Sequence, residues 1–323
     1  MKAIRIHKFG PTEEVLQYED VPTPVPGPQE LLVKVEAASL NRADLSLRKG
    51  TYRVDPKELP LIPGREFAGK ITALGSGVKD FKLSQRVVAH PTKGGYAEYA
   101  VTKAMWARPV PDGVDPVVAA AMPTVFLTAW FALLEDGKIK SGDQVLVQAG
   151  SSGVGTAAIQ IVKYLGARLF TTAGTEEKCR RLVELGADGA INYSARDFRQ
   201  ELLRLTGGRG VDVVLEMVGG EVYSKSVEVL APGGRLVSIG GAAGPIPDPP
   251  PTLTEGRKAT RFSITNYLNT RPEAFNQLDL FLDLVRQKKF RVVVDRTFPL
   301  AETRAAQRYL EGRDHFGKIV LTM

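Results

Sequence analysis

The pattern of apolar and polar positions divides the chain near residue 123. Up to that point, short apolar runs are separated by proline and glycine turns and have no βαβ rhythm, which predicts a β-rich domain. Its predicted strands are residues 31–37, 67–74, 86–90 and 96–101. From about residue 124 onwards, helical spacing alternates with strand-like runs, and this alternation predicts a doubly wound parallel sheet.

The elements of the second part follow one another in a regular order. A helical segment precedes the apolar run that starts at Gln144, and later strands are predicted at 168–173, 211–215 and 235–239. After the proline-rich stretch 245–251, the pattern predicts a strand at 261–267, a helix at 273–287, a strand at 291–294, another helix and a closing strand at 318–322. We expect this tail to return to the first domain.

The apolar run 144–148 ends in a glycine-rich turn that contains Gly150, Ser152, Gly153, Val154 and Gly155. A helix and a second strand follow, as in the first βα unit of a dinucleotide-binding domain. Glycines at such a corner let the backbone approach a pyrophosphate, and the helix offers unpaired N–H groups. Ser152 stands where the usual motif has its middle glycine, and a loop that merely turns the chain is the alternative.

The corner after the second strand indicates which dinucleotide is bound. An NAD-selective site usually has a carboxylate there, about 20 residues after the turn, whereas this chain has Gly174 and Thr175. Lys178 lies one helical turn further on, where its charge suits a 2′-phosphate, so NADPH is the predicted cofactor. Either Glu176 or Glu177 could instead turn back to the ribose, and Lys178 could belong to an ordinary solvated helix face.

Composition and charge agree with a cytoplasmic enzyme. The chain has 323 residues, 43% hydrophobic and 24% charged, which allows two globular domains. No apolar run is long enough to span a bilayer and no apolar signal core follows Met1, so we expect neither membrane insertion nor export. The single cysteine, Cys179, excludes an intramolecular disulfide. The net charge of +7 is spread along the sequence, which makes nucleic acid a minor hypothesis.

Five motifs in a specific order run over essentially the whole chain: SLNRAD at 39–44, IPGREFAG at 62–69, GGYAEY at 94–99, AGSSGVG at 149–155 and GKIVL at 317–321. Together they resemble the zinc-independent medium-chain dehydrogenases/reductases of the quinone oxidoreductase group. The resemblance implies an α/β protein with a Rossmann nucleotide-binding domain at 124–262. It also implies a β-rich GroES-like catalytic domain at 1–123, to which residues 263–323 return, and an active site in the cleft between the domains.

The chain departs from the zinc-dependent relatives at their metal ligands. Asn41 stands at the place of a cysteine and Arg65 at the place of a histidine, and Glu66 alone does not hold zinc. The four closely spaced cysteines of a structural zinc lobe are also missing, and His7, His90 and His315 are scattered. We therefore predict a site without metal.

Without a metal, the remaining chemistry is direct hydride transfer to an acceptor that needs little activation, such as a quinone or the β-carbon of an enone. The resemblance implies that Asn41 lies beside nicotinamide and substrate and that Thr128 lies near the carboxamide. Tyr52 stands where related enoyl-thioester reductases carry a proton-donating tyrosine, so its phenol could protonate the product. The alternative is a tyrosine that packs a mobile loop.

The resemblance also assigns the remaining cofactor contacts. Gly240 and Gly241, which end a later strand, are expected to face the nicotinamide ribose. Lys318, in the closing motif, is expected to reach the cofactor phosphates, and the alternative is a strand-end lysine in water. The residues assigned to the pyrophosphate and the adenosine phosphate are Gly153, Val154, Thr175, Lys178 and Tyr193.

Three functions remain open. The first is an NADPH:quinone reductase, and the second is an enone or 2-enoyl-thioester reductase with Tyr52 as proton donor. A thioester substrate would need a basic rim, for which Arg42, Arg48, Lys49 and Arg53 are candidates. The third is a cofactor-binding protein with a structural or RNA-binding role, which only the net charge supports. We also expect a homodimer in which the strand predicted at 261–267 extends the sheet.

Overall fold

The computed structural model describes residues 1–52, 54–91 and 93–323, and this part of the chain forms two compact units. The first unit consists of residues 1–124 together with 273–323, and the second consists of residues 125–272. Residues 263–272, which the sequence analysis placed with the tail, group with the second unit. Within the described ranges, none of the helices is both long and apolar enough to cross a membrane.

In chain order the strands are β1 (Lys2–Ile6), β2 (Leu16–Asp20), β3 (Glu30–Ser39), β4 (Phe67–Leu74), β5 (Arg86–Ala89), β6 (Tyr99–Lys103), β7 (Ala107–Pro109), β8 (Gln144–Val147), β9 (Arg168–Ala173), β10 (Gly189–Asn192), β11 (Val211–Glu216), β12 (Leu230–Ser238), β13 (Lys258–Arg261), β14 (Val294–Pro299) and β15 (Lys318–Thr322). The α-helices are α1 (Thr12–Val15), α2 (Arg42–Arg48), α3 (Pro116–Ala120), α4 (Pro123–Phe131), α5 (Gly153–Tyr164), α6 (Glu176–Glu184), α7 (Phe198–Leu205), α8 (Gly220–Glu228), α9 (Ile264–Thr270), α10 (Leu278–Arg286) and α11 (Thr303–Gly312). Short 3₁₀ segments lie at Pro56–Glu58, Ala104–Trp106, Pro272–Gln277 and Leu300–Glu302, and a π-helical turn lies at Ala132–Asp136.

The main sheet of the first unit has the strand order β14-β15-β3-β4-β5-β7, and β6 also pairs with β3. β15 runs antiparallel to β3, with Val320 opposite Ser39. The N–H of Leu40 continues this pairing by donating to the carbonyl oxygen of Ile319 at 2.9 Å. The pairing therefore brings the first residues of β15 next to the chain that leaves β3. The sheet buries an apolar core that includes Leu31, Val33, Phe67, Ile71 and Leu321.

The sheet of the second unit has the order β10-β9-β8-β11-β12-β13, and all its neighbouring strands are parallel. Its first strand in sequence, β8, lies in the middle, so the strand order reverses between β8 and β11. This is the arrangement of a dinucleotide-binding sheet, in which ligands bind outside the carboxyl ends of the strands at the reversal. The predicted α/β fold class, with a doubly wound parallel sheet, is confirmed.

Strand predictions were accurate where the apolar pattern is unambiguous. The strands predicted at 67–74, 168–173 and 318–322 have those bounds in the structure. The strand predicted at 261–267 was wrong, because β13 ends at Arg261 and α9 begins at Ile264. The Ser263 hydroxyl accepts from the backbone N–H of Asn266 at 3.4 Å, so a serine cap starts a helix in sequence rich in β-formers. The strand predicted at 291–294 was also misplaced, since β14 begins at Val294.

Candidate active site

A buried network of polar side chains lies where β3 ends and β15 begins. Lys318 is 4% exposed and Glu66 is fully buried, and the Lys318 ammonium donates to Glu66 Oε1 at 2.8 Å. The same ammonium donates to Asn41 Oδ1 at 2.8 Å and to the carbonyl oxygen of Leu40 at 2.7 Å. These three bonds use all three donors of the ammonium. The network holds two opposite charges away from water and satisfies the cation completely.

The structure gives Lys318 other partners than the cofactor phosphates expected from the sequence. Its three acceptors all belong to the first unit, and at 4% exposure Lys318 is not the solvated strand-end lysine of the alternative. The physical reason is the pairing of β15 with β3, which places the Lys318 side chain among buried acceptors. To reach a bound phosphate, the Lys318 side chain would have to break these three hydrogen bonds and leave the buried Glu66 carboxylate without its counter-charge.

Asn41 is the polar residue whose side chain this network orients. It is 8% exposed and caps α2, with its backbone N–H donating to Asp44 Oδ2 at 2.8 Å. Because Lys318 can only donate, the atom that it contacts must be the amide oxygen, and Nδ2 then donates to Glu66 Oε1 at 2.8 Å. The amide nitrogen has a second N–H that makes no hydrogen bond within the described residues. This N–H is the donor that Asn41 can offer to a bound molecule.

Glu66 is ionised at neutral pH despite its burial. Burial alone would raise its pKa, but the Lys318 ammonium and the hydrogen bonds from Lys318 and Ser39 lower the pKa to about 2. Its second oxygen accepts from the backbone N–H of Thr124 at 2.7 Å. A carboxylate with this many donors is a fixed anchor rather than a proton donor.

His90 lies on the opposite side of Thr124. Its Nε2 is 3.1 Å from Thr124 Oγ1, and its ring packs against Phe275 at a centroid distance of 6.2 Å. Burial and then the charge of Arg65 lower the pKa of His90 to about 4, so this histidine is neutral at pH 7. It belongs to the wall of the network and not to a metal site.

Arg65 and Tyr52 form a second pair of side chains in the same unit. The guanidinium carbon of Arg65 lies 5.2 Å from the centre of the Tyr52 ring, and Arg65 is 6% exposed. Asp44 carries a nearby negative charge and accepts from the Tyr96 hydroxyl at 2.8 Å. Burial raises the pKa of Asp44, and the charge of Arg65 opposes that rise. Tyr52 is therefore held beside a cation, as a cation–π pair.

The donor set does not suit zinc. The Asn41 amide oxygen and the Glu66 carboxylate already accept from the Lys318 ammonium, which would repel a metal ion at this position. Within the described residues, no three His, Cys, Asp or Glu side chains are grouped as metal ligands would be. Arg65, at the place of a histidine ligand in zinc-dependent relatives, adds a second cation.

The glycine turn of the second unit fits a dinucleotide. A Cβ on Gly150 would lie 2.1 Å from Thr171 Oγ1, and one on Gly155 would lie 2.5 Å from the carbonyl oxygens of Ala149 and Gly150. Only glycine fits at these two positions, where the strand and the helix approach each other closely. Ser152 caps α5 by accepting from the N–H of Gly155 at 3.0 Å. The serine at the place of the middle glycine is thus a helix cap.

The corner after β9 holds the residues predicted to select the phosphate. Thr175 caps α6 by accepting from the N–H of Lys178 at 3.2 Å, and Lys178 is half-buried in the first turn. Tyr193 is exposed, and a Cβ on Gly174 would lie 2.9 Å from its hydroxyl oxygen. These residues form one corner of the unit.

The two carboxylates that could have competed for the ribose are engaged elsewhere. Glu176 Oε1 accepts from the side-chain amide of Asn192 at 3.1 Å. Glu177 forms an ion pair with Arg180 on the same helix. Both carboxylates therefore have hydrogen-bond or ion-pair partners within the described residues.

The other predicted site residues, Thr128, Gly240 and Gly241, all lie in the second unit. Thr128 is buried in α4 at 7% exposure. Gly240 and Gly241 follow β12, at the same carboxyl edge of the parallel sheet as the turns after β8 and β9. The sequence analysis missed Ser39 and Thr124 as partners of Glu66. Ser39 and Thr124 lie 27 and 58 positions from Glu66 in the sequence, so a local pattern does not reveal either contact.

Comparison with known proteins agrees with this architecture. Residues 27–112 match the model of alcohol dehydrogenase GroES-like domains, and residues 185–321 match a model described as zinc-binding dehydrogenase. Quinone oxidoreductase of Sus scrofa is 33% identical, with an alignment that covers 100% of this chain and 98% of that protein. The chain belongs to the quinone oxidoreductase family. Because the chain belongs to this family, it is an oxidoreductase.

Two further proteins are similar to this chain over nearly its whole length. The solved structure of Escherichia coli quinone oxidoreductase complexed with NADPH is 31% identical, has a TM-score of 0.91 and is covered completely, as is this chain. A protein of Burkholderia sp named 2-haloacrylate reductase is 32% identical over 98% of this chain and 97% of its own length. The family resemblance read from the sequence motifs is confirmed.

Proposed function

We propose that this member of the family is a metal-independent reductase that uses NADPH to reduce a quinone or a similar electron-poor acceptor. The observation that carries the proposal is the fixed amide of Asn41, which keeps one N–H without a partner inside a buried, charge-balanced network. A donor held in this way can bind the carbonyl oxygen of an acceptor without first rearranging.

The second unit supplies the cofactor site in this proposal. Gly150 and Gly155 let β8 and α5 pack closely, and the N–H groups of Gly153 and Val154 at the start of α5 would donate to a pyrophosphate. Thr175, Lys178 and Tyr193 surround the 2′-phosphate, and Gly240 and Gly241 face the nicotinamide ribose. The Escherichia coli relative was solved with NADPH, which supports the same cofactor here. NADPH supplies the hydride when bound.

The residues of the first unit orient the acceptor. Asn41 donates to its carbonyl oxygen, and Lys318 and Glu66 act as positioning residues because they fix which end of the amide is presented. Tyr52 provides a hydroxyl near the acceptor, and Thr128 is assigned to the carboxamide of the cofactor. A metal is not required, because a quinone accepts hydride without Lewis-acid activation.

An enone reductase is the second candidate, and the position of Tyr52 favours it. The tyrosine ring lies beside the Arg65 cation at 5.2 Å, and its hydroxyl is the proton donor in this candidate. A thioester substrate receives less support, because two residues of the expected basic rim are engaged elsewhere. Arg48 is 1% exposed, and Arg48 and Lys49 both pair with Glu311. Arg53, a third residue of that rim, lies outside the described residues.

A role in RNA binding is the third candidate and rests on net charge alone. A filter-binding assay with single-stranded RNA at two salt concentrations tests it, since affinity carried by phosphate contacts falls steeply with salt. Absence of salt-dependent binding removes this candidate.

The experiment that tests the leading proposal is NADPH oxidation by a metal-free preparation with four acceptors. These are benzoquinone, phenanthrenequinone, cyclohexenone and crotonyl-CoA, with NADH measured in parallel. We expect turnover of the quinones with NADPH preferred. Turnover of cyclohexenone alone would favour the enone reductase, turnover of crotonyl-CoA would restore the thioester, and no turnover would refute the proposal.

Two further expectations belong to the proposal. A cytoplasmic location agrees with the family, and a homodimer would use β13, an edge strand of the parallel sheet, as the surface between protomers. The strand available for this is Lys258–Arg261 and not the longer one predicted from the sequence. Light scattering coupled to size exclusion measures the oligomeric state, and a monomer at all concentrations would contradict the dimer.

A further inference from the structure

Lys318 and Arg65 are both buried in the first unit, and among the described residues Lys318 has a counter-ion in contact whereas Arg65 does not. Lys318 has the Glu66 carboxylate at 2.8 Å. Arg65 is 6% exposed, yet its guanidinium makes no hydrogen bond and no ion pair within the described residues. A buried charge without a paired anion is costly, and natural structures retain one chiefly where a ligand completes it.

The anions nearest to Arg65 do not complete it. Asp44 acts on Arg65 only through space, since its carboxylate accepts from the backbone of Asn41 and from the Tyr96 hydroxyl. Glu66 is committed to Lys318, Asn41 and Thr124. His90 is neutral at pH 7 and therefore carries no charge that could pair with Arg65. The guanidinium therefore has no described acceptor.

The guanidinium is also reachable. Several polar side-chain atoms of the described residues are buried from solvent and have no hydrogen-bond partner. No nitrogen of Arg65 is among them. Its unpaired nitrogens therefore border space that solvent or a small molecule can enter. The guanidinium carbon lies over the Tyr52 ring at 5.2 Å, and the N–H groups of the guanidinium are the part that can donate.

We propose that Arg65 binds a carboxylate of the acceptor, so that the preferred substrates of this enzyme are electron-poor alkenes that carry a carboxylate beside the reducible C=C bond. The planar fork of a guanidinium matches the two oxygens of a carboxylate, which an ammonium does not. This inference rests on the proposed function and adds that the preferred substrate carries a negative charge.

In this reaction the C=C π bond is replaced by two C–H bonds. One carbon gains a hydride and the other gains a proton, so the acceptor is reduced by two electrons while NADPH is oxidised to NADP⁺. Tyr52 or water supplies the proton. The carboxylate does not react, and it serves as the handle that Arg65 holds while the Asn41 N–H binds a second oxygen of the acceptor.

A matched pair of acceptors tests the inference. The anion 4-oxo-2-pentenoate and its methyl ester share one reducible bond and differ in charge, and benzoquinone serves as a third acceptor. Since charge-assisted hydrogen bonds of this kind change affinity by roughly ten- to a hundredfold, we expect kcat/KM for the anion to exceed that for the ester by about that factor. In Arg65→Met the preference should disappear, and in Arg65→Lys it should be intermediate.

The control variant is Arg296→Met, which removes another arginine of the same unit that stacks on a tyrosine. Its guanidinium carbon lies 4.7 Å from the Tyr309 ring centre, but Arg296 is exposed. The preference for the anion should survive in this variant. Equal losses for anion and ester in Arg65→Met would assign a structural role to Arg65 and overturn the inference.

A binding measurement on the wild-type protein decides the matter if Arg65→Met does not fold. Benzoate and benzamide have the same shape, and calorimetric titration of each should show binding of benzoate only. Benzoate should also inhibit competitively with the acceptor. Reduction of benzoquinone without any preference for the anion would overturn the inference and leave the proposed function standing. Failure to reduce any of the three acceptors would overturn both.

Discussion

The buried pair of Lys318 and Glu66 makes a quantitative prediction about stability. Replacing Lys318 by methionine keeps the length of the side chain but leaves a fully buried carboxylate without its counter-charge. Breaking one side of a buried pair typically costs about 3–5 kcal/mol of unfolding free energy. The pKa of Glu66 gives a second route to the magnitude, since a shift from 4.5 to about 2 corresponds to about 3 kcal/mol.

The contribution of Glu66 to the unfolding free energy should change with pH in opposite directions in the wild type and in Lys318→Met. In the wild type, the lowered pKa of Glu66 contributes stability that is present above pH 4.5 and is lost as the pH falls towards 2. In Lys318→Met, burial is no longer opposed by the ammonium and raises the pKa of Glu66 above 4.5. The destabilisation of the variant should therefore be largest at pH 7.5 and should shrink as the pH is lowered to 5.

Urea unfolding of the first unit is the assay. Trp106 belongs to this unit and packs edge-on against Phe275 at 5.7 Å, so a Trp130→Phe background makes the fluorescence specific for it. Adding Glu66→Gln to Lys318→Met removes the stranded charge and should recover most of the loss, giving a coupling energy of at least about 2 kcal/mol. Lys2→Met, which breaks an exposed pair at 2.6 Å, should leave the midpoint unchanged. A loss no larger than that of Lys2→Met, or no recovery in the double variant, would refute the reasoning.

Three further variants test other parts of the structure. Lys178→Ala should raise the Michaelis constant for NADPH about ten- to a hundredfold and leave that for NADH nearly unchanged, as expected for one charge-assisted contact; a parallel rise of both constants would contradict the phosphate assignment. Tyr52→Phe should lower the turnover number on enones if the phenol donates a proton, and an unaltered turnover number would reject that role. Burial lowers the pKa of His90 from 6.5 to about 4, so the wild type should lose about 2 kcal/mol between pH 7 and pH 5 through this residue. His90→Asn should lack that loss in urea titrations at the two pH values, and an identical pH dependence in the two proteins would show that the pKa of His90 is not lowered in the native state.

The dinucleotide-binding unit was readable from the sequence because its signals are local. The central strands β8, β9 and β11 each contain an apolar stretch, and the glycine turn falls directly between β8 and α5. The turn chemistry also has a local cause, since Ser152 caps the helix that it precedes. A local pattern misleads where propensity and capping disagree, as at Ser263, where a hydroxyl cap outweighs the β-preference of the residues that follow.

The network around Asn41 was not readable in this way. Asn41 and Lys318 are separated by 277 positions, and only the pairing of β15 with β3 brings them together. A sequence pattern predicts that β15 is a strand but not which strand it joins, so it gives no acceptor for Lys318. The burial of Lys318 was hidden for the same reason, because a lysine at the start of a strand looks solvated until its partner is known.

The consequence for mechanism is that Asn41 and Lys318 have to be considered together. An asparagine amide can present either its oxygen or its nitrogen to a bound molecule, and the two choices have opposite chemistry. Lys318 fixes the choice, because its ammonium can only donate and so binds the amide oxygen. Glu66 then takes one N–H of the amide nitrogen and leaves the other for the acceptor. A substitution that removes the ammonium therefore alters which group the acceptor meets, even though Lys318 itself makes no contact with the acceptor in this scheme.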